Sequence, residues 1–169
     1  MALLFAVHST VTWALVGLIW TIQVVHYPSL GEVGPERFHG FHERHMSRIG
    51  PLVVPLMLAE AGSAVWLLLL GERSGLFWLS LAGLALVWGS TWFFQVPLHL
   101  RLSQGHDPDA IRKLVATNLW RTAGWTLRGL CLSAILFSRT SPAPTSPAPR
   151  TGAPSESHGA NGGSGRTGG

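Results

Sequence analysis

Five of the chain's eight histidines lie at or near the ends of apolar stretches, where imidazole groups can do chemistry. Imidazole titrates close to neutral pH, so it serves as a general acid or base, and it is also a common metal ligand. His42 and His45 are three residues apart, a spacing that places both side chains on one face of a helix. The five residues are His26, His39, His42, His45 and His99.

Polar residues near these histidines recur at helical spacing on stretches that are otherwise apolar. Within each set the side chains fall on a single helix face. In lipid such a face must point at other helices or at trapped water, because no bulk solvent satisfies it. We therefore expect a polar pocket between helices. The sets are Gln23 with His26, Thr91 with Gln95 and His99, and Asn118 with Arg121, Trp125 and Arg128.

One kind of site that these residue types could form is a metal centre. Imidazole groups bind zinc, copper and iron. The candidate metal ligands are His26, His42, His45 and His99. Haem between two histidines is less favoured, because no two histidines lie deep within two different apolar stretches.

The other kind of site works without a metal. A histidine would act as general base, and Asn118 and Arg121 would stabilise negative charge that develops on an oxygen atom. Tryptophan side chains would hold a flat substrate. The candidate catalytic residues are His26, His99, Asn118 and Arg121, and the candidate substrate-lining residues are Gln23, Gln95, Trp92 and Trp125. The sequence leaves both kinds of site open and does not identify a cofactor.

Two charged residues lie near the middle of apolar stretches, Glu60 in the second and Arg128 in the fourth. With a helical rise of about 1.5 Å per residue, both fall roughly 15 Å inside the apolar layer. A charge at that depth costs about 2.5 to 3.5 kcal/mol, so we predict a buried ion pair between the two residues or, alternatively, a proton on Glu60. Such a pair either ties two helices together or belongs to a functional site.

The elements that must position these residues are predicted from composition. The chain of 169 residues is 47% hydrophobic and 12% charged, about half of the charged fraction that soluble domains usually have. A helix needs roughly 20 apolar residues to cross a bilayer, and four stretches are that long. We predict an all-α integral membrane protein, an antiparallel four-helix bundle. The predicted spans are residues 3–25, 51–70, 76–98 and 118–137.

The segments outside these spans are polar. Pro35 to Arg48 predicts an interfacial helix that leads into the second span, with a kink at Gly50–Pro51. Gly105 to Pro108 predicts a turn, followed by a short polar helix before the fourth span. Residues 1–138 form the predicted transmembrane domain. Residues 139–169 are rich in Pro, Ser and Gly, a composition that predicts a disordered tail.

The distribution of basic residues predicts an orientation. Connections facing the cytoplasm carry an excess of Lys and Arg. The first and third connections carry six basic residues, whereas the opposite side carries two. The first and third connections are therefore predicted to be cytoplasmic, and both termini are predicted to lie on the outer side of the cell membrane. The six are Arg37, Arg44, Arg48, Arg101, Arg112 and Lys113, and the two are Arg73 and Arg139.

Two classes of protein are excluded. The net charge of +4 does not indicate nucleic-acid binding, because the basic residues are scattered and no binding motif is present. The single cysteine, Cys131, rules out a disulfide framework and a cysteine-based metal cluster. The partners we expect are membrane lipid and an apolar small molecule; the oligomeric state is not predicted.

Two segments carry a family resemblance. The run Gln95–His99, with its Val96–Pro97 pair, and the run Asn118–Thr122, followed by Trp125 and Arg128, resemble the anthrone-oxygenase-like family of small four-span membrane proteins. The likeness covers mainly the second half of the chain. Where the family usually has asparagine after the Val-Pro pair, this chain has His99. The resemblance implies oxidation of a flat, phenol-like compound at a site formed by His99, Asn118 and Arg121.

Three functions follow as hypotheses. The first is a small oxidoreductase or oxygenase-like enzyme with a pocket near the cytoplasmic face that accepts a flat apolar substrate. The second is a non-enzymatic membrane subunit or scaffold whose polar residues only tie helices together. The third is a small proton-coupled transporter that uses Glu60 as its proton carrier.

Overall fold

A computed structural model describes residues 1–140 of the chain, and the predicted tail from residue 141 onward lies outside the described residues. The described part contains helices and no strand, which confirms the all-α prediction. Its four long helices are α1 (Ala2–Glu32), α2 (Pro35–Leu69), α3 (Gly75–Leu102) and α4 (Pro108–Thr140). Helix α4 includes residues 139 and 140, which had been assigned to the tail.

Helices α1, α2 and α3 are long and apolar enough to cross a membrane. The mean hydropathy of their most apolar windows is 1.9, 2.0 and 1.5, respectively. Helix α4 is not among them, since Asn118, Arg121 and Arg128 lower the hydropathy of its central part. The prediction of membrane-length helices is therefore confirmed for three elements.

The contacts between helices show that α1 runs antiparallel to both α2 and α4. Between α1 and α2, His8 contacts Ser63, whereas Thr12 donates a hydrogen bond to Glu60. Between α1 and α4, Trp13 donates a hydrogen bond to Ser133, whereas Trp20 donates to Thr126, so one helix ascends as the other descends. Helices α3 and α4 cross closely at two glycines, where a Cβ on Gly83 would lie 3.0 Å from the carbonyl oxygen of Gly124. Helices α2 and α3 make few direct contacts, which leaves a gap between them.

In helix α2 the predicted interfacial helix, Pro35 to Arg48, and the predicted second span form one helix. It is continuous from Pro35 to Leu69, with Pro51 and Pro55 inside it. A helical proline removes one hydrogen bond, but in an apolar layer the remaining backbone groups are best satisfied by keeping the helix. Likewise the polar helix after Gly105 is not separate, because α4 runs without interruption from Pro108.

Two π-helical turns lie at the histidine-rich end of the bundle, Ile22–His26 in α1 and Thr91–Gln95 in α3. Each contains the residue four positions before a proline, Pro28 or Pro97. A proline ring clashes with the carbonyl group four residues earlier, and a wider turn relieves that clash. Such turns are frequent at functional sites.

Candidate functional site

A cavity of about 630 Å³ lies in the gap between α2 and α3, and residues of α1 and α4 close its back. Its walls are mainly apolar, with contributions from Met57 and Val53 on α2 and from Val96 and Leu100 on α3. This size suits a small organic molecule. Polar side chains from all four helices also line it, although they expose little surface to it; they include Tyr27, His42, His45, Gln95, His99 and Arg121.

A chain of hydrogen bonds runs along one wall of this cavity. His42 Nε2 lies 3.1 Å from His99 Nδ1, and His99 Nε2 lies 3.1 Å from the hydroxyl oxygen of Tyr27. The three residues come from α2, α3 and α1, so the chain exists only when the helices are packed together. Tyr27 is the chain's single tyrosine, and it is not among the site residues predicted from the sequence. Its position next to His26, at the end of an apolar stretch, was the signal available.

The histidines of α2 have different environments. His42 is buried, whereas His39 is exposed and its ring contacts the backbone carbonyl of Ser103. His45 lines the cavity and stacks on His26, with 4.1 Å between ring centroids and 24° between planes. His26, a predicted catalytic residue, does not line this cavity and lies behind His45.

Arg121 reaches the cavity from α4, and a second polar network holds it there. Its Nη1 donates to Asn118 Oδ1 at 3.2 Å, and Asn118 Nδ2 donates to Gln23 Oε1 at 2.9 Å. Gln23 in turn donates to the carbonyl oxygen of Val115 at 3.2 Å. The guanidinium also lies 5.1 Å above the ring of Trp125. Asn118 and Gln23 thus position Arg121 from behind and do not line the cavity themselves.

Arg121 retains unused hydrogen-bonding capacity. Its Nε is buried and has no partner within residues 1–140. The guanidinium of Arg121 is also close enough to the Tyr27 hydroxyl for the two groups to interact electrostatically. A buried donor without a partner costs roughly 1–3 kcal/mol. Arg121 is also the arginine that lines the cavity, so it is the candidate to meet a negatively charged or carbonyl oxygen of a ligand.

The predicted lining residues divide into two groups. Gln95 lines the cavity and donates to Thr117 Oγ1 at 3.1 Å, and its Oε1 is buried without a partner within residues 1–140. Trp92 is 61% exposed and does not line the cavity. Thr91, Gln95 and His99 are spaced four apart and face inward, so Trp92, roughly 100° further round the helix, faces outward. Trp125 is fully buried, one layer deeper.

A separate polar layer lies deeper in the bundle, centred on Glu60 and Arg128, which are both fully buried. Arg128 Nε donates to Glu60 Oε1 at 2.9 Å. Glu60 also accepts from Thr12 at 3.0 Å and from Trp125 at 2.9 Å. Arg128 Nη1 donates to the carbonyl oxygen of Ser80 at 2.7 Å. The layer joins all four helices, and both carboxylate oxygens have donors.

His8 belongs to this deeper layer, although the sequence analysis assigned it no role. Its Nε2 lies 3.3 Å from Arg128 Nη2, and its Nδ1 lies 2.7 Å from Ser63 Oγ. Since a guanidinium can only donate, His8 Nε2 must accept, and the ring is neutral with its proton on Nδ1. The signal in the sequence was its position in the middle of an apolar stretch.

The predicted metal ligands do not converge on one point. His42 and His99 contact each other through ring nitrogens, and both nitrogens of His99 have hydrogen-bond partners. His26 and His45 stack face to face, so their nitrogens do not point at each other. Within residues 1–140 no three His, Cys, Asp or Glu side chains are arranged to hold a metal. Metal binding stays a prediction.

Comparisons with known proteins add no family assignment: no protein-family model, curated protein or solved structure matches this chain.

Proposed function

We propose that this chain is a four-span membrane enzyme that binds a flat, apolar, phenol-like molecule in the cavity between α2 and α3 and removes a proton from it. The observation that carries the proposal is the hydrogen-bonded chain His42–His99–Tyr27 along the wall of a mainly apolar cavity. An apolar cavity with a few convergent polar groups is the usual form of a small-molecule site.

The hydrogen-bonded chain can run in either direction, because neutral imidazole has one donor and one acceptor nitrogen. If Tyr27 donates to His99, then His99 donates to His42. If His42 donates to His99, then His99 donates to Tyr27, and the phenolic hydrogen of Tyr27 is free to donate to a ligand in the cavity. Reversing the direction moves one proton between Tyr27 and His42 by way of His99. Acid–base catalysis requires a proton transfer of this kind.

Arg121 supplies the complementary charge. When a proton leaves a phenol-like compound, negative charge is delocalised onto its oxygen atom. Arg121 lies at the cavity wall, has an unpartnered Nε and is held by Asn118. A preorganised donor of this kind stabilises developing oxyanion charge. The resemblance to anthrone-oxygenase-like proteins extends the proposal to oxygenation, in which an anthrone and one dioxygen give an anthraquinone and one water.

The experiment uses the purified full chain in detergent, with an anthrone and dissolved oxygen, and follows anthraquinone absorbance and oxygen consumption. We expect turnover that falls on the order of 10²-fold or more in His99→Ala and in Tyr27→Phe, because each breaks the hydrogen-bonded chain. The matched control is His106→Ala, since His106 packs against Phe38 outside the cavity. Equal turnover in His99→Ala, Tyr27→Phe and His106→Ala would overturn the catalytic role of the hydrogen-bonded chain His42–His99–Tyr27.

The geometry favours a structural role for the deeper layer, as in the scaffold hypothesis. Both oxygens of Glu60 accept hydrogen bonds, and its side chain is fully buried. Glu60 does not line the cavity between α2 and α3. A proton carrier needs a route to water, so this arrangement supports a tie between helices rather than the transporter hypothesis.

A further inference from the structure

A second cavity, of about 400 Å³, lies between α1 and α2. Its wall is amphipathic, with apolar side chains at one part and cationic or aromatic side chains at another. We call it the α1–α2 groove. The residues that matter here are Leu18, His26, Phe41, Arg44, Arg48 and Leu52.

The two arginines of the groove form no ion pair with another residue of the described part, residues 1–140. Arg44 and Arg48 are four residues apart, so they lie on one face of α2. Both are exposed. The ion pairs within residues 1–140 use four other arginines, Arg101, Arg112, Arg128 and Arg139. Two unpaired guanidinium groups side by side match the oxygens of a phosphate group.

His26 gives an independent sign that a polar group binds here. Its ring stacks against Phe41, with 6.2 Å between centroids, and against His45 at 4.1 Å. Its Nε2 is buried and has no hydrogen-bond partner within residues 1–140. A buried ring nitrogen without a partner is unfavourable. The His26 side chain is only half-buried, so a small rotation of its ring would let a polar group in the groove supply the missing hydrogen bond.

The position of the groove indicates a lipid. The apolar part of α2 begins near Pro51, so Arg44 and Arg48 precede it by one to two turns, while Leu52 lies within it and is 51% exposed. Cations just outside a membrane-spanning segment lie at the level of the phospholipid head groups. Leucines next to them lie at the level of the acyl chains.

We propose that the α1–α2 groove is a binding site for an anionic phospholipid. Arg44 and Arg48 bind the phosphate, His26 hydrogen-bonds to the head group, and one acyl chain lies along Leu18 and Leu52. The proposal uses the membrane location of the chain and is independent of the enzymatic activity proposed above, because it involves neither His99 nor Arg121.

The test is native mass spectrometry of the full chain in detergent, titrated with dioleoyl phosphatidylglycerol, dioleoyl phosphatidylcholine or inorganic phosphate. We expect the wild-type chain to retain phosphatidylglycerol preferentially. The double variant Arg44→Gln/Arg48→Gln should weaken that binding on the order of tenfold or more, since each basic residue near the membrane surface contributes several-fold. Leu52→Trp, which narrows the apolar part, should weaken binding of the lipid as well.

The matched control is Arg37→Gln/Lys113→Gln, which removes the same charge from positions outside the groove and should keep the wild-type affinity. Three results would overturn the proposal. Equal weakening in the control means general attraction by net charge, and equal retention of phosphatidylcholine means no recognition of an anion. Retention of inorganic phosphate as strong as that of the lipid means a site for a free anion.

Discussion

Arg121 and Arg128 lie two helical turns apart on α4, yet their surroundings give them different roles. Every nitrogen of Arg128 has a partner, in Glu60, the carbonyl of Ser80, and His8. Arg121 has an unpartnered Nε and lines the cavity. An arginine whose nitrogens are all hydrogen-bonded to the protein holds a structure together, whereas an arginine that lines a cavity is available to a ligand. The residue type alone does not distinguish the two.

The tie between Glu60 and Arg128 predicts a specific pattern of stability. Glu60→Gln leaves the guanidinium of Arg128 buried without a counter-charge, so we expect a loss of about 3–5 kcal/mol in unfolding free energy. Replacing both residues, in Glu60→Gln/Arg128→Met, removes the uncompensated charge and should cost less than the sum of the single changes. The measurement is denaturant unfolding in detergent of four proteins: the wild type, Glu60→Gln, Arg128→Met and the double variant. Strictly additive losses would show that the two side chains do not interact.

Glu72, in the turn between α2 and α3, predicts a pH dependence. Burial by itself raises the pKa of Glu72, but hydrogen bonds from Ser74 and Arg139 and the charge of Arg139 outweigh it, so the pKa lies below the usual 4.5. A depressed folded-state pKa stabilises the fold above the unfolded pKa, and this contribution is lost as the pH falls through the folded value.

We therefore expect the wild-type chain to be more stable than Glu72→Gln at pH 7, with the difference shrinking below about pH 4.5. Arg139 is 40% exposed, so solvent screening keeps the difference under about 1 kcal/mol. Thermal unfolding of both proteins between pH 7 and pH 3 measures it. Glu36→Gln serves as control, because Glu36 is exposed and forms no ion pair within residues 1–140. A difference that grows on acidification would contradict the argument.

At the scale of elements, the close crossing of α3 and α4 depends on two glycines that face each other. A Cβ on Gly124 would lie 2.8 Å from Val87 Cγ2, and a Cβ on Gly83 would lie 3.0 Å from the Gly124 carbonyl oxygen. We expect Gly83→Ala and Gly124→Ala each to lower the unfolding free energy by about 1–3 kcal/mol, because the helices must separate.

The control for this prediction is Gly89→Ala on α3, the helix that contains Gly83. The added Cβ would meet nothing within 4 Å. Alanine favours helix over glycine by up to about 1 kcal/mol, so Gly89→Ala should be neutral or stabilising. Denaturant unfolding in detergent measures all three variants. If Gly83→Ala were as stable as Gly89→Ala, the crossing would not depend on close backbone contact.

Periodicity and hydropathy predicted most of the elements, and their limits have physical causes. Helical spacing correctly grouped Asn118 with Arg121, which are buried and hydrogen-bonded to each other, because side chains three or four residues apart share a face. The Gly50–Pro51 pair predicts a kink; the helix continues through Pro51 to Leu69, and the kink stays a prediction. Spacing also could not reveal that His42 would contact His99, since that contact depends on how α2 and α3 pack.

At the scale of the whole molecule, the polar groups form two layers with different environments. The deeper layer around Glu60 joins all four helices and has its charges paired. The layer around His99 lies at the end of the bundle, next to both cavities, and includes polar atoms with unused capacity, on His26, Gln95 and Arg121. The deeper layer is packed and its charges are paired, whereas the layer above it borders the cavities and has polar atoms without hydrogen-bond partners. This is the arrangement expected of a rigid scaffold that supports a binding site.

Whether α4 crosses the membrane decides where the two termini lie. A hydropathy scale counts Arg128 as a charge that faces lipid. In the structure its side chain is fully buried and paired with Glu60, so inserting α4 does not expose this charge to lipid. Four spans place both ends of residues 1–140 on one side, whereas three spans place them on opposite sides. With the first and third connections predicted to be cytoplasmic, both ends should face outward.

Single cysteines in a Cys131→Ser background test this with a membrane-impermeant maleimide on intact cells. We expect labelling of Ala2→Cys and Thr140→Cys, and labelling of Gln104→Cys, between α3 and α4, only after the cells are permeabilised. Labelling of Ala2→Cys but not Thr140→Cys would mean three spans, with α4 outside the bilayer. The deeper ion pair would then need shielding from water rather than from lipid, and the cavity between α2 and α3 would have to be closed by a helix that lies on the membrane surface.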